Sequence, residues 1–371
     1  RRQLPHELLD DLLEALVERL EILQRHGSSF SPKLLYLLVQ PSVHGLLLRV
    51  QRQQRRGVAQ VGPRKGIQQP FRPVSLYKTH EQKSVPDSEV IKVLTSSGTS
   101  GASVSRVYLD AETARIQSAV LVKIVQHFLG KDRLPMVILD HAGVVRERKS
   151  HSARGAGILG MAQFGRRPFY ALREDMSLDE QGLLDYLSTT GGGRILLFGF
   201  TFMIWSCFVQ AVEQRGLKLD LSDAVLVHTG GWKRMKELAV SPEDFRGRLE
   251  ALTGIRSVIN FYGMAEQVGG VYFENDLHYL HAPIYSDVLI RDPVTFAPLP
   301  DGEVGLIQVV SSLPVSYPGH SILTEDLGVI RGIDSPGIAM KGRYFEMMGR
   351  VPESELRGCS DTFQPVRAVA R

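Results

Sequence analysis

Short apolar runs alternate with helix-like segments along most of this chain. The runs rich in β-branched and aromatic residues cover residues 90–94, 136–140, 194–198, 223–228 and 257–261. Runs of this length, separated by helical patterns, are typical of strands in a parallel sheet that helices cover. The alternation therefore predicts an α/β fold with mainly parallel sheets flanked by helices.

The chain changes character beyond about residue 284. Two β-rich runs are joined there through Pro300, Asp301 and Gly302, a combination typical of an antiparallel hairpin. Upstream, Asp110 is placed to cap a helix that runs to residue 128, with Gly130 just past its end. The sequence predicts a β-rich part that begins at about residue 284, near the C-terminal end of the α/β domain.

Leucines at helical spacing predict a helix over residues 8–23, and a second helical stretch covers residues 31–54. We therefore divide the chain into three parts. An N-terminal helical region over residues 1–80 packs on a main domain over residues 81–348, and residues 349–371 form a hinge and a short C-terminal remnant.

Composition narrows the function classes. With 371 residues, 43% hydrophobic and 23% charged, the chain has the composition of a globular protein that buries a core. A net charge of +4 gives no reason to expect nucleic acid as a partner. Only two cysteines, Cys207 and Cys359, are present, which excludes a disulfide framework and favours the cytoplasm.

Residues 195–212 carry no charge and reach about the minimum length of a membrane span. The alternative is a buried strand over residues 194–198, a turn at Gly199 and a buried helix capped by Thr201. The small and polar residues Gly199, Thr201, Ser206 and Gln210 favour the buried alternative. We therefore expect no membrane span.

The stretch LTSSGTSGASVSR, residues 94–106, follows the first apolar run and is rich in hydroxyls and glycines. Backbone N–H groups and hydroxyls in such a loop can surround phosphate oxygens, and glycines allow close approach. It is not a Walker loop, since no lysine follows the second glycine. Taken alone, the loop is equally consistent with a polar surface turn. Its phosphate-binding residues would be Ser96, Ser97, Gly98, Thr99, Ser100 and Gly101.

Three further motifs follow in a fixed order. They are NFYGMAEQ over residues 260–267, ILTEDLG with Asp326, and MMGRVPESEL with Gly349 and Arg350. Together with TSSGTSG, they resemble the adenylate-forming superfamily of acyl-CoA synthetases, luciferases and adenylation domains. The stretches HSARGAGILG, LVHTGGWKRM and GRVPESELRGCSD are similar to the acyl-protein synthetases of bacterial bioluminescence. The resemblance extends from about residue 80 to 363 and implies the large domain of that fold, with a truncated or absent small C-terminal domain.

The resemblance also implies roles for individual residues. The loop would hold the β and γ phosphates of ATP, and Glu266 would bind Mg²⁺, for which a carboxylate is a suitable hard ligand. Tyr262 would stack on adenine beside Gly263, Gly230 and Gly231 would line the base, and Asp326 would accept hydrogen bonds from the ribose. The corresponding alternatives are core packing for Tyr262 and a surface carboxylate for Glu266.

The chain departs from the superfamily pattern at several places. Val104 stands where a lysine is common, Ala265 replaces a threonine, and few residues follow Arg350. Lys233 is a candidate for the missing catalytic cation, or it is an exposed lysine on a loop. Cys359 resembles the family's acyl-accepting cysteine; the alternative is an inert thiol.

The acid is expected to bind near His151 and Arg154, with Phe200 on the wall of its pocket; a structural role for His151 is equally open. These observations predict an enzyme that uses ATP and Mg²⁺ to activate a carboxylic acid, with a fatty or other hydrophobic acid favoured. It then passes the acyl group to a thiol, with Cys359 and a partner such as a reductase or carrier protein as candidates. Two alternatives remain open: direct delivery to an amine, alcohol or CoA, and a catalytically inactive nucleotide- or acyl-binding subunit.

Overall fold

The computed structural model describes residues 70–96, 104–146, 153–232 and 239–351. All of them belong to one compact unit, Pro70–Arg371. The predicted helices over residues 8–23 and 31–54 lie outside the described residues, and the predicted boundary at residue 80 stays a prediction.

The strands and helices follow one another in an alternating order. The strands are β1 (Arg72–Pro73), β2 (Lys92–Thr95), β3 (Arg106–Leu109), β4 (Leu134–His141), β5 (Gly165–Leu172), β6 (Leu196–Phe200), β7 (Val225–Thr229), β8 (Ser257–Gly263), β9 (Val271–Phe273), β10 (Leu280–His281), β11 (Ser286–Arg291), β12 (Gly305–Ser311), β13 (Ser321–Ile333) and β14 (Arg343–Arg350). The helices are α1 (Leu76–Thr79), α2 (Ala111–Leu129), α3 (Gly143–Arg146), α4 (Ala153–Ala162), α5 (Glu180–Ser188), α6 (Thr201–Met203), α7 (Gln210–Arg215) and α8 (Pro242–Thr253). Single turns of 3₁₀ helix cover Asp87–Glu89 and Ala265–Gln267, and a π-helix over Ile204–Val209 joins α6 to α7.

The first sheet is a six-stranded layer in the order β5-β4-β6-β7-β8-β9. Strands β5 to β8 are parallel, and β9 pairs antiparallel with β8. Its central strands are buried from end to end, which explains their continuous apolar runs. The strands predicted from the runs at 136–140, 194–198, 223–228 and 257–261 are confirmed, with ends that differ by at most two residues.

Strand β5 lies at the edge of this sheet, and only its second half, FYAL, is apolar. Its sequence, GRRPFYAL, starts with two arginines and a proline whose side chains are exposed. Charged residues and proline are tolerated at a sheet edge because one side of the backbone needs no partner there. The hydrophobic pattern therefore gave no signal for this strand.

The helix predicted after Asp110 is confirmed as α2. The Asp110 carboxylate accepts a hydrogen bond from the Thr113 N–H at 2.7 Å, and Gly130 follows the last turn with φ +86°. A cap formed by the side chain of the preceding residue satisfies one of the free N–H groups of the first turn. Local sequence chemistry therefore fixed both ends of this helix.

The prediction of a turn at Gly199 with Thr201 as a helix cap is wrong. Strand β6 continues through Gly199, where a side chain would lie 3.0 Å from atoms of Leu139 and Ile204. Phe200 is the residue before the helix, and Thr201 is its first helical residue. The Thr201 hydroxyl bonds instead to the Gly230 carbonyl at 2.6 Å, so a tertiary partner replaces the local cap.

The second sheet has the order β10-β14-β13-β12-β11 and is antiparallel, with β1 added parallel to β13. The hairpin predicted through Pro300, Asp301 and Gly302 is confirmed as β11 and β12, and Gly302 has φ +90°. Such a backbone conformation suits glycine because it has no Cβ. The β-rich C-terminal part is therefore a separate antiparallel layer of an α/β molecule.

Two more features bear on function. Strands β2 and β3 form an antiparallel hairpin in which Thr95 pairs with Arg106, and the predicted phosphate loop connects them. The uncharged stretch at 195–212 forms β6, α6, the π-helix and the start of α7, and most of its side chains are buried. None of the described helices is long and apolar enough to cross a membrane.

Candidate active site

The parallel strands bring several predicted site residues to one edge of the first sheet. Phe200 ends β6, Gly230 and Gly231 follow β7, and Tyr262 lies near the end of β8. Carboxyl ends of adjacent parallel strands meet at the same edge, where α/β proteins bind their ligands. The Thr229 hydroxyl donates to the Phe261 carbonyl at 2.8 Å and thereby connects the ends of β7 and β8.

Three motif residues that are far apart in sequence meet at one contact. The Tyr262 hydroxyl donates to Asp326 Oδ2 at 2.8 Å, and Arg350 Nε donates to Asp326 Oδ1 at 2.8 Å. Tyr262 comes from the first sheet, whereas Asp326 and Arg350 are register partners on β13 and β14 of the second. We call this contact the Asp326 cluster. It brings together residues of the second, third and fourth motifs.

The Thr-x-Asp spacing of the third motif has a local explanation. The Thr324 hydroxyl donates to the Ile307 carbonyl at 2.8 Å and accepts from the Asp326 N–H at 3.1 Å. This pair of bonds fixes the backbone of Asp326 against strand β12. The carboxylate therefore starts from a rigid strand, which favours a preorganised site.

The electrostatics of the Asp326 cluster keep the Tyr262 hydroxyl protonated. Burial and the Asp326 carboxylate raise the pKa of the Tyr262 hydroxyl well above its usual range, so this hydroxyl remains a donor. A carboxylate has about four acceptor positions, and the two contacts use one on each oxygen. The remaining positions allow Asp326 to accept hydrogen bonds from a ligand's hydroxyls.

Glu266 lies in the 3₁₀ turn that follows β8, with only 5% of its surface exposed. Burial raises the pKa of its carboxyl group, while the Ser105 hydroxyl, its own backbone N–H and the charges of Lys78 and Arg350 act in the opposite direction. The next residue, Gln267, donates to the Gly319 carbonyl at 3.0 Å and holds the turn against the second sheet. Glu266 is thus a rigidly held, buried carboxylate.

The base of the predicted phosphate loop adjoins this carboxylate. The Ser96 N–H donates to the Ser105 carbonyl at 3.1 Å, and the Ser105 N–H donates to the Ser96 hydroxyl oxygen at 3.0 Å. Ser105 is fully buried, and its hydroxyl acts on Glu266. Ser97, Gly98, Thr99, Ser100 and Gly101 lie outside the described residues. The hairpin therefore starts the loop beside Glu266.

Gly230 has φ +81°, which favours glycine, and a Cβ there would lie 3.5 Å from the Phe200 ring. Its carbonyl accepts the Thr201 hydroxyl at 2.6 Å, and the same hydroxyl lies 2.9 Å from His228 Nδ1. His228 is buried, and burial together with the Arg246 charge lowers its pKa to about 3. Neutral, buried side chains therefore support the Gly230–Gly231 segment.

Arg154, predicted at the acid pocket, is 5% exposed in α4. Its Nε lies 3.2 Å from Asp140 Oδ2, and its Nη2 lies 3.0 Å from His141 Nε2. Asp140 is fully buried, and burial raises the pKa of its carboxyl although Arg154 and the His141 N–H oppose this. The structure thus pairs Arg154 with Asp140, and its role toward an acid stays a prediction.

Phe200 is 1% exposed, and a Cβ on Gly157 of α4 would lie 3.4 Å from its ring. The Phe200 ring therefore packs between α4 and the Gly230 segment. Its role in binding an acid stays a prediction. Cys207 is buried, as predicted, and burial raises the pKa of its thiol to about 12. A small surface cavity of about 130 Å³ lies at the opposite edge of the sheet, near Ile195 and Ala224, and contains none of the predicted residues.

Three further predicted residues, His151, Lys233 and Cys359, also lie outside the described residues. The sequence did not point to Ser105, Asp140 or His228 as residues near the site. It also did not predict the bond from the Thr201 hydroxyl to a carbonyl. Asp140 and His228 had a weak signal, since each is a polar residue within or at the end of an apolar run. Their partners come from other elements, and the local pattern does not reveal those.

Comparisons with known proteins identify the family and the fold of this chain. The family model for the acyl-protein synthetase LuxE matches residues 65–366. A long-chain-fatty-acid–luciferin-component ligase from Vibrio harveyi is 26% identical over 305 residues, which cover 78% of this chain and 76% of the relative. The protein of the same name from Aliivibrio fischeri is 25% identical over 173 residues, covering 45% and 44% of the two chains.

Solved structures show the same fold. 2-Hydroxyisobutyryl-CoA ligase in an open conformation, in complex with 2-HIB-AMP and CoA, matches with a TM-score of 0.53 and 17% identity, covering 73% of this chain and 59% of that one. Its postadenylation state matches with a TM-score of 0.52 and 17% identity, covering 72% and 53%. The chain thus spans less than two thirds of these ligases. Since the family match extends over most of its length, the chain belongs to the acyl-protein synthetase (LuxE) family, an AMP-forming acid ligase family, as its ordered motifs predict.

Proposed function

We propose that this chain uses ATP to activate a hydrophobic carboxylic acid and passes the acyl group to a thiol. A fatty acid is the favoured substrate. In the first step a carboxylate oxygen attacks the α-phosphorus of ATP, and the bond to the bridging oxygen of pyrophosphate breaks. In the second step a thiolate attacks the acyl carbon, and AMP leaves. Catalysis of such phosphoryl transfer rests on positioning and on stabilising charge.

The observation that carries this proposal is the Asp326 cluster. Tyr262, Asp326 and Arg350 belong to three separate motifs of an adenylate-forming enzyme, and they contact one another directly. In this proposal Asp326 accepts hydrogen bonds from the ribose hydroxyls, Arg350 orients the carboxylate, and the Tyr262 ring contacts adenine beside Gly263. Gly230 and Gly231 approach the base from the end of β7.

The phosphate end of ATP is proposed to lie between the β2–β3 loop and Glu266. Ser96 at the loop base, together with Ser97, Gly98, Thr99, Ser100 and Gly101, would supply N–H and hydroxyl donors to the β and γ phosphates. Lys233 is proposed as a further cation.

A divalent cation fits this place. Mg²⁺ bound with a nucleotide needs one or two carboxylates in addition to the phosphates, and Glu266 provides one, with the Ser105 hydroxyl beside it. No group of three or more acidic, histidine or cysteine side chains suited to holding a metal by themselves occurs among the described residues. We therefore propose that Glu266 holds Mg²⁺, which would offset phosphate charge when bound.

The acid is proposed to enter along the same sheet edge. Phe200 and the segment near it would contact the apolar part, with His151 and Arg154 close to its polar end. Because Phe198, Phe200 and Phe202 make this region apolar, it suits an acid whose tail is apolar.

Cys359 is proposed as the thiol that receives the acyl group before a partner protein, a reductase or a carrier, takes it. The low cysteine content supports the cytoplasm as the compartment. A thioester relay requires a free thiol, which a reducing compartment preserves.

Hydroxylamine trapping tests the proposal. The chain is incubated with ATP, Mg²⁺, hydroxylamine and acids from short to long-chain fatty acids and aromatic acids, and hydroxamate is measured. We expect hydroxamate with hydrophobic acids and none without ATP. If no acid gives hydroxamate or bound acyl-adenylate, the chain is a non-catalytic binding subunit and the proposal is wrong.

Cys359→Ser tests the relay, with Cys207→Ser as the matched control. We expect Cys359→Ser to form hydroxamate at the rate of the unaltered chain while losing thioester-linked acyl-protein, measured with labelled acid. Cys207→Ser is expected to keep the acyl-protein. If Cys359→Ser keeps the thioester-linked acyl group, Cys359 is not the relay; if the unaltered chain also carries none, the acyl group goes directly to an external amine, alcohol or CoA.

A further inference from the structure

Thr201 and His228 form a buried, uncharged pair under the Gly230–Gly231 segment. The Thr201 hydroxyl lies 2.6 Å from the Gly230 carbonyl, 3.2 Å from the Thr229 carbonyl and 2.9 Å from His228 Nδ1. Thr201 is 8% and His228 6% exposed. Water is largely excluded from this pair, so it does not compete for these bonds.

The hydrogen bonds fix the tautomer of His228. A hydroxyl has one proton, and the shortest contact directs it to the Gly230 carbonyl. The Thr201 oxygen therefore accepts from His228, whose Nδ1 carries the proton. Because the pKa of His228 falls to about 3 through burial, this arrangement persists throughout the neutral range.

The same bonds set the direction of one peptide group. A trans peptide is planar, and its C=O and N–H point in opposite directions. Since the Gly230 carbonyl is held inward on Thr201, the N–H of Gly231 points outward, away from the buried pair. Gly231 is exposed, and its N–H has no partner among the described residues.

We propose that Thr201 and His228 are positioning residues that direct the Gly231 N–H toward a ring nitrogen of the purine base. This rests on the proposed function, which places adenine at this segment. An N–H pairs with an acceptor, and the purine ring offers acceptor nitrogens. Glycines at both positions leave room for a flat ring, and the Thr229–Phe261 bond holds the segment next to Tyr262.

Matched substitutions at Thr201 test the positioning role. Thr201→Val keeps the shape and removes the hydroxyl, whereas Thr201→Ser keeps the hydroxyl. We expect Thr201→Val to raise the KM for ATP about 3- to 10-fold, as for one lost hydrogen bond, with smaller effects on kcat and on the KM for the acid. Thr201→Ser is expected to restore the KM. An unchanged KM for ATP in Thr201→Val, or an equal rise in the KM for the acid, overturns the proposal.

Base analogues test the bond itself in the unaltered chain. We compare ATP with 1-deaza-, 3-deaza- and 7-deaza-ATP, each of which replaces one ring nitrogen with carbon. One analogue is expected to have a KM raised by a similar factor, and Thr201→Val is expected to abolish the difference between it and ATP. If all three bind as well as ATP, the Gly231 N–H does not bond to a ring nitrogen and the proposal is wrong. If the unaltered chain activates no acid at all, the proposed function itself fails.

Discussion

Two aspartate–arginine pairs in this molecule have the same chemistry and different surroundings. Arg350 Nε lies 2.8 Å from Asp326, with 32% and 13% of the two side chains exposed. Arg154 Nε lies 3.2 Å from Asp140, with only 6% and 1% exposed. The first pair lies on strands β13 and β14 of the second sheet, where Tyr262 of the first sheet also contacts Asp326, whereas the second pair connects the end of β4 to α4.

The difference in exposure indicates different roles for the two ion pairs. A pair that keeps contact with solvent can exchange water for a ligand's hydroxyls at little cost. A pair removed from water must satisfy itself, because an unpartnered buried charge is expensive. We therefore expect the Asp326 pair to act on nucleotide binding and the Asp140 pair to act on stability.

The largest effect is expected for Asp140→Ala. It leaves the Arg154 charge buried without its partner, so the free energy of unfolding, measured with urea, is expected to fall by about 3 to 5 kcal/mol. The double variant Asp140→Val with Arg154→Met is expected to regain most of this loss. Asp287→Ala, which breaks a more exposed pair with Arg343, serves as the control and is expected to cost less than about 1 kcal/mol. A loss for Asp140→Ala no greater than in this control would contradict the distinction.

Asp326→Asn is expected to lower activity strongly and stability little, the reverse of Asp140→Ala. The change weakens two charge-assisted hydrogen bonds and the proposed ribose contacts, so kcat/KM for ATP is expected to fall about 100-fold. The free energy of unfolding is expected to change by less than about 1 kcal/mol, because the pair retains solvent contact. Steady-state kinetics and urea unfolding of the same preparation separate the two effects. Loss of stability with intact kinetics would reverse our assignment of the two pairs.

His228 provides an uncharged buried group for comparison. Its pKa is about 3 in the folded chain, against about 6.5 when unfolded. Between these values the unfolded chain binds more protons, so this contribution to stability is complete above about pH 6.5 and is lost as the pH falls toward 3. From pH 7 to 5 we expect a loss of roughly 1 to 2 kcal/mol from this group. In urea unfolding, His228→Gln is expected to lack this part of the pH dependence. If His228→Gln and the unaltered chain show the same pH dependence, His228 does not contribute it.

The smallest effect is expected for Tyr262→Phe. The ring remains, and only the bond from the hydroxyl to Asp326 is lost. We expect the KM for ATP to rise about 5-fold, the value of one hydrogen bond. Tyr272→Phe, at a neighbouring buried tyrosine, is the control and is expected to leave the KM unchanged. Equal effects of the two changes would show that Tyr262 only packs.

The sequence predicted what local chemistry determines. The apolar runs predicted β4, β6, β7 and β8, and the side chain of Asp110 predicted the start of α2. The resemblance carried by the ordered motifs grouped Tyr262, Asp326 and Arg350, and these three residues contact one another; their roles stay a prediction. These features depend on neighbours in sequence or on a pattern shared across a family.

Long-range contacts determined what the sequence did not predict. Threonine is a common helix-capping residue, which is why the sequence predicts a cap at Thr201. Its hydroxyl bonds instead to the carbonyl of Gly230, which is distant in sequence. Arg154 is predicted from the sequence to bind an acid, but Asp140 lies beside it as an ion-pair partner. In each case a partner from another element outweighed the local signal.

Carboxylate-dependent exchange of labelled pyrophosphate into ATP tests the central claim most directly, because it reports formation of the acyl-adenylate before any acyl transfer. The account predicts exchange that requires both a hydrophobic acid and Mg²⁺, that persists in Cys359→Ser, and that falls about 100-fold in Asp326→Asn. Absence of exchange with every acid, or exchange at full rate in Asp326→Asn, would contradict it.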